Sequence, residues 1–352
     1  MPVYLKHSQL LCGSAVADMR HAPKNCINVG IINNMPDGAL KSTERQFLNL
    51  LNTAAGALAL RVTFYGLPEV LRSDSGRRHM DGFYCNIQDL WDHPLDGLIV
   101  TGAEPRTPNL PDERYWTKLT ELVEWAEQNT HSSLWSCLAA HAAVLHLDGI
   151  QRHRLRHKRF GLFSCSQASE HRLLDGVSAR LIMPHSRWNE LSEADLNKCG
   201  YQVLTRSEQA GVDAFVKQRK SPLVFFQGHP EYDANTLLLE YRRDIGRYLR
   251  GEVEAYPVMP RSYFDSQTEV AFTALRERAL SDRREGLLED FSPALLENKL
   301  QNTWRSAALG IYQNWLAFLA DRKQQRVITR RPQQQAAPAE LVHRRTFAAG
   351  AD

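Results

Sequence analysis

Apolar and polar positions follow two rhythms along this chain. From Cys26 to Ile32 the run CINVGII is almost continuously apolar, which predicts a buried strand. The loop NNMPDGAL follows, and a helix is predicted from about Ser42, a suitable N-cap, to Asn52. Leu60–Tyr65 alternates as a second strand, and Leu95–Gly102 is a third, ending in a glycine turn. Leu119, Leu122, Val123 and Ala126 share one face of a helix over roughly Asp112 to Gln128. Leu134-Trp135-Ser136 predicts a further short buried strand. Ala139, Ala140, Ala142, Ala143, Leu145 and Leu147 predict the helix beyond Cys137.

Strands alternating with helices predict an α/β fold with a doubly wound, mostly parallel sheet. In such sheets the active loops lie beyond the C-terminal ends of the strands. The loops after Ile32, Gly102 and Ser136 therefore share one edge, and topology alone brings Cys137 close to the loop TGAEPR. The second half is less regular. Gly161–Ser164 and Leu181–Pro184 predict short strands. Tyr201–Thr205, Ala214–Lys217 and Leu223–Phe226 predict a meander that runs into the loop GHPEYDAN and a helix. Residues 268–300 are charged and helical in pattern. Trp304, Leu309, Tyr312, Trp315 and Phe318 recur at helical spacing. This divides the chain into an irregular segment over 1–25, a catalytic domain over 26–260, a helical extension over 261–322 and a disordered tail over 323–352.

Composition narrows the function. At 352 residues with a net charge of +3, no overall field points to nucleic acid. No apolar run is long enough to span a membrane. The N-terminus lacks a hydrophobic core followed by a cleavage site and is read as unprocessed. The six cysteines, at 12, 26, 85, 137, 165 and 199, form no paired spacing, which fits neither a disulfide framework nor a metal site. The expectation is a cytoplasmic protein with no metal.

Cys137 is the candidate nucleophile. At a strand-to-helix turn its thiolate would gain from the helix N-terminus, and the N–H of Leu138 would point at a developing oxyanion. A buried core cysteine explains the same stretch equally well. His229, on the loop after Leu223–Phe226, is the candidate base, and Glu231 can hold its imidazole in one tautomer. The other histidines, among them His131, His141, His146, His153, His157 and His185, mostly lack a carboxylate at useful spacing.

Cys137 in its elbow and His229-Pro230-Glu231-Tyr232-Asp233 resemble the class I glutamine-amidotransferase-like fold. They resemble more specifically the homoserine O-acyltransferases of methionine biosynthesis, of the homoserine O-succinyltransferase type. The likeness covers about residues 25–260 and resumes from Asn302-Thr303-Trp304-Arg305 to Trp315-Leu316. It includes Asn34-Met35-Pro36, Glu44-Arg45-Gln46-Phe47, Phe83-Tyr84-Cys85-Asn86, Pro184-His185-Ser186-Arg187 and GHPEYDANTL with EYRRD.

The resemblance implies an acyl-thioester on Cys137, His229 as proton acceptor and Glu231 as its orienter. Lys158, Ser186 and Arg243 are implied as substrate-binding residues. Backbone N–H groups of Leu138 and Ala103 would serve the oxyanion. Acyl-CoA is the implied co-substrate, with no bound cofactor, and a hydroxy amino acid, homoserine, is the acceptor. Lys158 lies in the basic run QRHRLRHKRFG, which is either a solvated face or a landing strip for the phosphates of coenzyme A. The aromatic Trp304–Phe318 helix either packs on its own domain or forms a homodimer contact.

The chain departs from the family pattern in three places. The loop MPDGALKSTERQF is longer than usual. The acyl-specificity position falls in TGAEPR, where the family goes with Gly for succinyl-CoA or Glu for acetyl-CoA and this chain has Arg106. An arginine could pair with a succinyl carboxylate, so succinyl is favoured. The charged stretch 268–300 and the tail have no counterpart. Serine or another hydroxy acid stays open as acceptor. A glutamine amidotransferase-like hydrolase using the same triad is the competing activity, although the Gly-x-Cys-x-Gly elbow is missing. A non-catalytic binding protein is the third reading.

Overall fold

A computed structural model of the chain describes residues 3–5, 17–289 and 299–334. Among the described residues eleven strands form one sheet in the order β2-β1-β4-β3-β5-β6-β11-β10-β9-β7-β8. They are β1 (Val3–Leu5), β2 (Ala17–Asp18), β3 (Ile27–Ile32), β4 (Leu60–Tyr65), β5 (Gly97–Val100), β6 (Ser132–Ser136), β7 (His153–Gln167), β8 (Arg180–Glu190), β9 (Gln202–Ser207), β10 (Gly211–Lys217) and β11 (Leu223–Phe226). From β2 to β11 in that order all neighbours are parallel, and from β11 to β8 all are antiparallel. The helices are α1 (Leu40–Ala54), α2 (Asp74–Phe83), α3 (Ile87–Asp92), α4 (Trp116–Asn129), α5 (Leu138–Asp148), α6 (Glu193–Lys198), α7 (Thr236–Leu249), α8 (Ser266–Ser281) and α9 (Arg305–Gln334). The expected α/β class with a mostly parallel sheet and added C-terminal helices is the observed one.

The parallel strands are apolar on both sides because both sides are covered. Val29 and Ile31 of β3, Leu134 of β6 and Phe226 of β11 pack with Phe47 and Leu51 of α1 and Trp315 and Leu316 of α9. Val100, Trp135 and Phe225 pack on the other face with Leu122 and Val123 of α4 and the alanines of α5. Full burial of a side chain such as Trp135 or Trp315 contributes roughly 2–3 kcal/mol each. Two stretches that carry the family likeness also meet. The Tyr84 hydroxyl donates to Glu44 Oε1 (2.7 Å), and His79 Nε2 lies 2.8 Å from the same oxygen. Burial pushes the Glu44 carboxyl up against these partners.

Four expectations change. Residues 3–5 are not irregular: β1 pairs in parallel with β4. The two short strands at 161–164 and 181–184 are the inner parts of one long hairpin, β7–β8, because the basic run itself is extended and paired. The helix expected to end near 322 continues to Gln334. There the Lys323 ammonium donates to Asp96 Oδ2 (2.5 Å) and to the Cys26 carbonyl (2.7 Å), so the tail does not begin at 323. Finally, Trp304, Tyr312 and Trp315 are fully buried within this chain, which removes the aromatic face as a reason for a homodimer. Within 268–300, Phe272, Leu275 and Ala279 pack α8 against α7, while 290–298 and the tail beyond 334 lie outside the described residues. No described helix is long and apolar enough to cross a membrane.

Candidate active site

Two adjacent parallel strands bring the triad together. β6 and β11 pair through Ser136 and Phe226, and the Cys137 N–H donates to the Phe226 carbonyl (2.7 Å). Cys137 then turns sharply, with φ 51° and ψ −112°, and is the N-cap of α5. A non-glycine residue in so sparse a region costs of order 1–3 kcal/mol, and the fold holds it there. The turn lifts the thiol to the sheet edge at the positive end of α5.

His229 follows β11, its N–H donating to the Pro184 carbonyl (2.8 Å). Its Nδ1 lies 2.9 Å from Glu231 Oε1, and its ring stacks on Tyr232 with centroids 4.3 Å apart. Both His229 and Glu231 are buried. With Nδ1 committed to Glu231, Nε2 is the nitrogen left for chemistry. Burial works against a charged imidazole here. The Glu231 carboxylate and hydrogen bonding to Cys137 outweigh it, and His229 is held well above the ordinary histidine range. His141 lines the same cavity but behaves oppositely: burial lowers it to about 3, and its Nε2 lies 3.0 Å from Gln227 Oε1. Burial disfavours a proton on His141, whereas Glu231 and Cys137 favour one on His229.

The loop after β5 supplies the remaining side. Asn34 N–H donates to Thr101 Oγ1 (2.9 Å), which fixes the loop. A Cβ on Gly102 would lie 3.2 Å from the Leu138 nitrogen, so glycine is what lets this loop approach the helix start. Leu138 opens α5, and its N–H has no acceptor in its own helix. Leu138 and Ala103 both line the cavity that holds Cys137.

The cavity has a volume of about 370 Å³ and collects Cys137, His229, Glu231, Lys158, Ser186 and Arg243. Two acids that sequence reasoning did not single out organise the last three. Ser186 Oγ donates to Glu240 Oε2 (2.5 Å) and Tyr232 OH to Glu240 Oε1 (2.6 Å). Lys158 Nζ lies 2.9 Å from Asp244 and 3.6 Å from Glu240, and Arg243 bonds Asp244 (2.8 Å). Glu240, Arg243 and Asp244 lie three and four apart on α7 and so share a face, a signal that EYRRD carried unread.

Arg106 stands elsewhere. The N–H groups of Arg106 and Thr107 both donate to Glu113 Oε1, at 2.6 and 2.7 Å, and turn the loop outward after Pro105. Arg106 is exposed and lines a neighbouring cavity of about 400 Å³ that contains no cysteine or histidine. On the Cys137 side the loop presents Ala103, Glu104 and Pro105, and the cations there besides Lys158 and Arg243 are Arg152, Arg154, Arg187 and Arg247. Several histidines also find carboxylates through tertiary contact: His131 with Asp96, His146 with Glu124, His153 with Asp195 and His185 with Asp213.

Cys165, His185 and Asp213 are buried with ligand atoms within 4.8 Å of one another. The Arg187 Nε donates to His185 Nδ1 (3.3 Å), which leaves the ring hydrogen on Nε2, facing Asp213 Oδ1 at 3.3 Å. A metal at Nε2 would need the other tautomer. The group reads as an imidazole–carboxylate pair behind Gly228, where a Cβ would lie 2.4 Å from Asp213 Oδ1.

The family model described as homoserine O-succinyltransferase matches residues 11–326. This chain belongs to the homoserine O-succinyltransferase family. It is similar to a homoserine O-succinyltransferase of Rhodopseudomonas palustris, with 46% identity over 301 residues, 86% of this chain and 90% of that protein. One of Methylorubrum extorquens is 44% identical over 297 residues, 84% and 88% of the two chains. Among solved structures it is similar to a glutamine amidotransferase from Thermotoga maritima, with 13% identity, covering 84% of this chain and 98% of that one, at a TM-score of 0.46. The α/β architecture of this family member is read from its own strand order.

Proposed function

We propose that this chain transfers a succinyl group from succinyl-CoA to the side-chain hydroxyl of homoserine, in two steps through a thioester on Cys137. The observation that carries the reading is the strained turn of Cys137 beside the bonded His229–Glu231 pair. In the first step the Cys137 sulfur attacks the succinyl carbonyl. The carbon–sulfur bond to CoA breaks, and the CoA thiolate leaves with the proton from the His229 imidazolium. In the second step neutral His229 removes the proton of the homoserine hydroxyl. The oxygen attacks the thioester, and Cys137 leaves as thiolate beside the re-formed imidazolium. The N–H groups of Leu138 and Ala103 would stabilise both oxyanions.

Acylation itself retunes the base. Burial lowers His229, while Glu231 and Cys137 raise it. Once the sulfur is acylated its contribution disappears, and the imidazole gives up its proton more readily, as the second step requires. Arg243 suits the carboxylate of the amino-acid acceptor, with Ser186 and Lys158 beside it. A succinyl carboxylate in this cavity would meet Arg187, not Arg106. Cys26, Cys137, Cys165 and Cys199 carry free thiols, which agrees with a cytoplasmic setting.

Product analysis tests the reading. With succinyl-CoA and homoserine, O-succinylhomoserine and free CoA are expected in equal amounts, with acetyl-CoA and serine both poorer substrates. Release of ammonia from glutamine with no acyl transfer would support the amidotransferase alternative instead.

A further inference from the structure

We propose that the outer end of the β7–β8 hairpin docks the nucleotide end of the acyl-CoA donor, Trp188 stacking on the adenine and Arg152 and Arg154 holding phosphates. This rests on the acyl-CoA reading of the Cys137 cavity. A cavity of about 370 Å³ is at the small end for a ligand pocket. It suits the thioester end of the donor and the acceptor, and the nucleotide must lie on the adjoining surface.

The adjoining surfaces differ in chemistry. The cavity lining runs from Cys137 to Arg152, Arg154 and Trp188 on one side. Trp188 is 43% exposed, the one tryptophan among the exposed large apolar side chains of the described residues. The Arg154 guanidinium sits 4.7 Å from its ring centroid. Indole faces stack nucleobases, and guanidinium groups pair bidentately with phosphate. Charge accounting separates these arginines from the deeper cations. Lys158 and Arg243 are each held by Asp244 and Glu240. Among the described residues Arg152 and Arg154 have no carboxylate at ion-pair distance; their contacts are the Pro108 carbonyl (3.1 Å) and the Trp188 ring. On another side, Arg247 is shared between Glu104 and Glu252, which makes that rim a poorer place for phosphates.

The test compares succinyl-CoA with succinyl-N-acetylcysteamine, which carries the same thioester without the nucleotide. The readout is the ratio of the two kcat/KM values. Trp188→Ala and Arg154→Ala are expected to lower this ratio about tenfold each. Trp188→Phe should restore most of it. Arg180→Ala, which removes an exposed arginine at the far end of β8, should leave the ratio at the wild-type value. A variant that folds poorly loses both donors together and keeps its ratio, so the short donor reports on folding. A wild-type ratio in well-folded Trp188→Ala and Arg154→Ala would overturn the proposal. A wild type that uses neither donor would overturn the acyl-CoA reading as well.

Discussion

Cys137→Ala is expected to lower turnover by about 10⁴-fold or more, because Cys137 is the one cysteine among the described residues that lines the cavity with His229. The same position predicts an opposite effect on stability. Cys137 holds φ 51° and ψ −112°, a conformation that L residues with a Cβ adopt at a cost. Cys137→Gly removes that Cβ, although it adds freedom to the unfolded chain. The glycine variant should therefore be about 1 kcal/mol more stable than the alanine variant, and both should be inactive. Denaturant midpoints compared with steady-state rates check this. An alanine variant as stable as the glycine variant would show that the turn is unstrained.

The second large effect is expected at Glu231. Glu231→Gln removes the carboxylate that holds His229 up, and an amide facing Nδ1 no longer enforces the tautomer with a free Nε2. Turnover should fall about 10²–10⁴-fold. The acid limb of the pH–rate profile should also move to lower pH, since a less basic His229 stays neutral further into acid. An acid limb at the wild-type pH would separate Glu231 from the base. Stability follows the same pair. Because the folded imidazole is held above its ordinary value of 6.5, the stabilisation is fully present below that pH. It is lost as pH rises through the higher folded value. Glu231→Gln should weaken this dependence.

Much of the site was legible because its carriers lie at the ends of apolar parallel strands. CINVGII, LDGLIV, SLWS and LVFF announce strands buried on both faces, and the edge rule then gathers Asn34, Gly102, Cys137 and His229 without any distance being known. What escaped lacks periodicity or depends on partners remote in sequence. The outer half of β7 reads as solvated charge because its own residues are charged, and its pairing with Arg187 to Glu190 depends on a segment remote in sequence. The Asp213 partner of His185 comes from β10, across the meander. Arg106 was placed by its likeness to a loop position, whereas the observed loop is set by Glu113, which draws two backbone N–H groups and swings Arg106 outward. Lys323 looked like the start of a polar tail, yet a cation near Asp96 and the Cys26 carbonyl anchors the helix there.

The central claim is the thioester, and intact-protein mass spectrometry tests it most directly. Wild type and Cys137→Ala would each be mixed briefly with succinyl-CoA in the absence of homoserine. The account predicts one added succinyl group on the wild type, discharged by homoserine, and none on Cys137→Ala. An adduct of equal yield on both proteins, or turnover to O-succinylhomoserine with no adduct on Cys137, would contradict it.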